Sequence, residues 1–279
     1  MWPMKIINNN KKFLLTFLFL LFITNLSATK VVLPPYYTNL DIYKNDPDSE
    51  KERKNAIAKY HLKESSQYYQ VLADRYKNKK DFTNAIRNYE YSILINNNKG
   101  YSFLKLGEIY FTQKLYQEAI SYLKVASNKD FSFEFDRIKT EYLLITSYFF
   151  VQEDDNALKI INDLIQEYKL SVDENINNLS AVNTDYYSPA YFLKNLYNRN
   201  HKLFDKDDNL NTLQKSLELG FKKEFIDYFL YEYYKSKNLL SVAFEYLTQA
   251  KMVSPNIEHK IIKLSWIRNY DITKIINFN

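Results

Sequence analysis

The sequence predicts an all-α protein, a solenoid of antiparallel helix pairs. Two observations carry that prediction. Only 3 Gly and 6 Pro occur in 279 residues, so the chain lacks the residues that tight hairpins and phosphate loops demand, and long side chains favour helix instead. Ala85 in "DFTNAIRNY" and Ala119 in "LYQEAISYL" stand 34 residues apart, with apolar residues in the same order around each. A period of that length marks units that cannot bury their apolar faces alone and must stack.

The elements follow in order. Residues 1–28 read as a signal peptide or an uncleaved anchor. Lys5, Lys11 and Lys12 make a basic leader, Phe13 to Ile23 is apolar apart from Thr16, and "NLSA" offers small residues for cleavage after Ala28. Residues 29–48, with "VVLPPYY", have no helical period and read as an extended arm. Residues 49–170 hold an N-terminal helix capped by Ser49 and then three repeats. Residues 171–187 read as a loop and 188–222 as a degenerate helix pair. Residues 223–256 form a last repeat. From 257 to 279, Ile257, Ile261, Leu264 and Ile267 at helical spacing predict a C-terminal capping helix and tail.

The repeat residues are specific. The first unit supplies Tyr69, Leu72, Ala73, Tyr76, Phe82, Ala85, Tyr89 and Ser92. The second supplies Phe103, Leu106, Gly107, Tyr110, Tyr116, Ala119, Leu123 and Ala126. The third keeps Leu144, Tyr148, Ala157, Ile161 and Leu164, four residues late, which predicts a longer connection around "SNKDFSFEFDR". The last keeps Leu230, Tyr234, Leu240, Ala243, Leu247, Ala250 and Pro255. This pattern resembles that of the tetratricopeptide repeat (TPR) family, W-x2-L-G-x2-Y followed by A-x3-F, and the chain looks like an exported bacterial TPR-containing protein. The resemblance implies a right-handed α-solenoid. Small residues such as Gly107 and Ala119 are expected where two helix axes approach most closely, since a larger side chain would force them apart.

Composition excludes several chemistries. No Cys is present, which removes disulfides, thiolate nucleophiles and Cys-ligated metals. Taking the three leader lysines from 38 basic residues leaves 35 against 33 acidic, a weak charge that argues against a nucleic-acid partner. His61, His201 and His259 have no partner at ligand spacing. Asp205, Asp207 and Asn209 have the spacing of a calcium loop, but Leu210 replaces its turn glycine and Ser216 its bidentate glutamate. Neither a metal nor a cofactor is expected, and no catalytic residue is assigned, because no nucleophile elbow or dinucleotide fingerprint occurs.

What remains is a surface. The resemblance implies that the first helix of each pair lines a concave groove for a partner. It places Tyr101, Leu104, Glu108, Phe111, Tyr142, Phe149, Phe225 and Tyr228 there, with Asp74, Glu108 and Glu232 at the ninth position of their repeats. Acids at that position do not suit the family's clamp for a C-terminal carboxylate. An aromatic groove with an acidic line suits an apolar segment with basic flanks. The groove is either open or filled by the arm or inserted helices.

The expected function is a non-catalytic scaffold or adaptor of the bacterial cell envelope, exported to the periplasm or another extracytoplasmic space, holding another envelope protein or peptide segment. Membrane contact is expected only if the N-terminal segment stays uncleaved, with anchoring through residues 13–26. A membrane-anchored assembly factor and a cell-envelope hydrolase are the alternatives. Sequence sets no oligomeric state.

Overall fold

The computed structural model describes residues 65–174, 183–201 and 207–260, together with Asn55 and Ala58, both helical. The expected signal peptide, arm, Ser49 cap, His61 and most of the capping helix lie outside the described residues.

Ten α-helices are described: α1 (Ser66–Asn78), α2 (Phe82–Ile95), α3 (Tyr101–Thr112), α4 (Tyr116–Ser127), α5 (Glu134–Val151), α6 (Asp154–Glu174), α7 (Ser188–Asn200), α8 (Asp207–Glu218), α9 (Lys223–Ser236) and α10 (Leu240–Val253). A 3-10 turn, Thr184–Tyr186, precedes α7, and a further helical turn begins at Ile257, which is buried. Each helix packs on the next in consecutive pairs, giving an all-α solenoid. Among the described residues there is no strand; one isolated bridge joins Lys99 to Asp130 in the longer connection before α5.

The repeat residues do pack as the spacing demands. Ala73, Ala85, Ala119, Ala126, Ala157, Ala243 and Ala250 are fully buried. A Cβ built on Gly107 would stand 2.6 Å from Leu123 Cγ and Cδ2, so α3 and α4 meet at the distance only glycine permits. Repeats join through rings: Tyr116 of the second stacks on Phe150 of the third at 4.2 Å.

One feature of the turns has no sequence mark. Lys80, Lys114, Gln152 and Asn238 all have φ between 60° and 69°, and each lies one turn after the tyrosine near the end of the pair's first helix. The amide of the following residue bonds back five residues: Asp81 to Tyr76, Leu115 to Tyr110, Glu153 to Tyr148, Leu239 to Tyr234, at 2.9–3.0 Å. This is the left-handed helix stop usually built on glycine. A glycine-poor chain builds it on lysine, glutamine and asparagine.

The degenerate pair is a repeat in register. Asn209, Leu213 and Ser216 of α8 stand 34 residues before Ala243, Leu247 and Ala250, and all three are fully buried. Polar residues at close-approach positions need partners. Asn198 Nδ2 donates to Asn209 Oδ1 at 2.6 Å, Ser216 Oγ donates to the Ser188 carbonyl at 2.9 Å, and Asn195 Nδ2 donates to Thr212 Oγ1 at 2.7 Å.

Candidate functional site

Four first helices, α1, α3, α5 and α9, carry the residues assigned to the groove. Their side chains are mostly not at the surface. Leu104, Tyr142 and Phe149 are fully buried, and Phe111, Phe225 and Tyr228 nearly so. Phe111 meets Tyr116 and Phe150 edge-on at 5.5 and 6.1 Å, within the contact between repeats. Phe225 lies 6.0 Å from Phe192, and Tyr228 lies 5.5 Å from Tyr231. Of the two alternatives, an open groove and a filled one, these buried rings fit the filled one, because rings long enough to line a groove are also long enough to bridge adjacent repeats.

At the third repeat, inserted chain covers the face. Tyr142 donates its hydroxyl to the Tyr186 carbonyl at 2.8 Å. Tyr187 donates to Glu167 Oε1 at 2.8 Å, and Arg137 ties Glu167 to Glu134. Of the two fillings considered, the inserted segment is seen; the N-terminal arm lies outside the described residues.

The acidic line is engaged from within. Asp74 accepts from the hydroxyls of Tyr89 and of Tyr101, the latter at 3.0 Å. Burial pushes the Tyr101 phenol up, and the Asp74 charge adds to it. Lys105 Nζ sits 5.0 Å over the Tyr101 ring, a cation–π contact. Glu232 forms a two-pronged pair with Arg199, at 2.9 and 2.7 Å.

Glu108 is the densest centre. Lys77 of α1, Lys105 of α3 and Lys139 of α5 all reach its carboxylate, Lys105 at 3.1 Å and Lys139 at 2.9 Å. Burial would raise this carboxyl, but the lysines outweigh it and hold the group down at about 2. The lysine side chains keep 27%, 14% and 24% of their surface while Glu108 keeps 10%. Solvent on this face meets ammonium groups more than carboxylate. Sequence reasoning placed Glu108 on the face and missed Lys105, whose sequence signal is the i,i+3 spacing to Glu108.

Asn209 is buried in the α7–α8 contact, and among the described residues no group of three His, Asp or Glu could hold a metal ion. His201 pairs with Asp154 at 3.1 Å across two helix ends.

No protein-family model matches the sequence, and no curated protein matches it. Solved structures do. The crystal structure of the MamA protein, a TPR-like helical-repeat protein, superposes with a TM-score of 0.51 at 22% identity, covering 71% of this chain and 96% of that one. The likeness is one of fold. A second crystal structure of MamA covers 68% of this chain and 96% of its own, with 23% identity and a TM-score of 0.48. The first of these agrees with the pairwise packing and the 34-residue register on a TPR-like helical solenoid.

Proposed function

We propose that this protein is a non-catalytic scaffold of the bacterial cell envelope, exported by its N-terminal segment, that holds a segment of another envelope protein along the row of first helices. One observation supports the chemistry of that segment: three lysines from three successive repeats share the single carboxylate of Glu108. The lysines are the more exposed members of a cluster that also holds the half-buried Asp136, so a partner segment that reaches them carries acidic side chains. The three acids expected to meet basic flanks, Asp74, Glu108 and Glu232, have partners within the chain, which favours an acidic segment.

In-cell photocrosslinking tests it, with Lys77→Met/Lys139→Met compared against Lys124→Met on exposed α4 surface. Capture of envelope proteins should fall roughly tenfold in the double variant, as charged contacts of about 1.4 kcal/mol would require, and stay unchanged in the control. Equal capture by all three forms, with unchanged thermal melts, would refute the assigned face. Intact mass of the cell-derived protein tests export: loss of residues 1–28 supports cleavage, and their retention supports the anchored form.

A further inference from the structure

The joint between the third repeat and the degenerate pair differs from the earlier joints. α6 spans 21 residues, whereas its counterparts α2 and α4 span 14 and 12. The extra turns carry its C-terminal end beyond the packed pair and over α7 and α8. A cleft of about 530 Å³ opens beneath them, within the range of small-molecule sites.

Its lining is chemically uneven. Tyr168 and Tyr191 form an aromatic corner, edge to face at 6.1 Å. Lys215 Nζ stands 5.8 Å over the Tyr168 ring, and Lys169 and Asp173 stand at the rim. Among the described residues, no hydrogen bond engages the Tyr191 hydroxyl and no ion pair engages Lys169 or Asp173. Behind the wall, Thr212 lines the cleft and accepts from Asn195, a fully buried residue whose Oδ1 has no hydrogen-bond partner. Lys215 also reaches Glu218 Oε2 at 3.1 Å, an i,i+3 pair exposed on both sides and so worth little in water, which leaves both lysines able to meet a ligand carboxylate. Two tyrosine rings favour a flat apolar body.

We propose that this cleft is a binding site for a small aromatic carboxylate, with its ring against Tyr168 and Tyr191 and its carboxylate at Lys215 and Lys169. The site is separate from the lysine cluster at Glu108 and independent of the scaffold reading.

Ligand-observed NMR on the full chain tests it with phenylacetate, neutral phenylacetamide and cationic phenethylamine. Phenylacetate should bind saturably, with the amide at least about fivefold weaker for want of the charge-assisted contact. Lys215→Met should weaken phenylacetate about tenfold, and Tyr191→Phe about twofold for one lost hydrogen bond, with melting temperatures unchanged. Equal binding of the three probes, or no saturation by about 10 mM, the weak end of specific affinity, would overturn the proposal. So would binding that emerges only after residues 175–182 are replaced by a Gly/Ser linker, because the cleft would then belong to the chain itself.

Discussion

Glu90 gives the sharpest test of the packing. It lies on α2, only 2% exposed, with Oε1 lacking a hydrogen-bond partner. Burial raises its carboxyl from 4.5 to about 8, and Arg87 offsets only part of that. The folded state therefore holds a proton that the unfolded chain gives up above about pH 4.5. Folded protein binds more protons than unfolded between the two values, so stability falls as pH rises through that window and levels off above about pH 8. At pH 7 the gap of 7 less 4.5 corresponds to on the order of 3 kcal/mol at 1.36 kcal/mol per unit. Glu90→Gln keeps the shape and removes the linkage. The variant should match wild type near pH 4.5 and exceed it increasingly at pH 7 and 8.5. Guanidinium unfolding of both proteins at the three pH values measures this, and every other titrating group cancels in the difference. A stability difference that does not change with pH would refute the argument, whatever its size.

Three further outcomes follow from the geometry. Lys114→Gly should stabilise by about 0.5–1 kcal/mol, because the lysine is held at φ 61° where an L side chain is strained; a thermal melt without an increase would count against it. Gly107→Ala should cost about 1–3 kcal/mol by overpacking, since the new Cβ meets Leu123 at 2.6 Å, and the same substitution should cost less in a Leu123→Ala background, where that contact is gone. Glu108→Gln should cost about 3 kcal/mol or more at pH 7, as for one partner removed from a buried ion pair. Because that carboxyl is held down at about 2, its contribution is present above about pH 4.5 and lost as pH falls towards 2, so the variant should lack that acid-dependent step.

The helix pairs were legible because close approach leaves a local mark: a small residue must stand at Ala85, Gly107 and Ala119, and the spacing shows it. The same rule hid the register of the pair α7–α8, which the sequence marked only as a degenerate helix pair. There the close-approach positions hold Asn209 and Ser216, which are tolerated only because Asn198 and the Ser188 carbonyl satisfy them. The left-handed turns at Lys80 and Lys114 were equally silent, since lysine does not signal that conformation. For the candidate face, register placed each residue on its helix but not what would come to cover it. Register assigns Tyr142 to the groove face, while the segment that caps it, at Tyr186, lies 44 residues away.

The ninth-position acids have a common physical role that register alone does not convey. Asp74 in the first repeat takes a hydrogen bond from Tyr101 in the second. Glu108 in the second takes lysines from the first and third. Glu232 in the last repeat takes Arg199 from the degenerate pair. Each carboxylate thus cross-links its repeat to a neighbour on the same side of the stack. In a solenoid, stability is a sum of repeat and nearest-neighbour terms, so these bonds strengthen the coupling terms. A partner's carboxylate that competes with Glu108 for Lys77 or Lys139 would loosen the joint it binds. Binding on this face and stiffness of the stack are therefore linked, and a partner segment should make hydrogen exchange at the α1–α3–α5 joints faster if it displaces Glu108 and slower if it adds to the cluster.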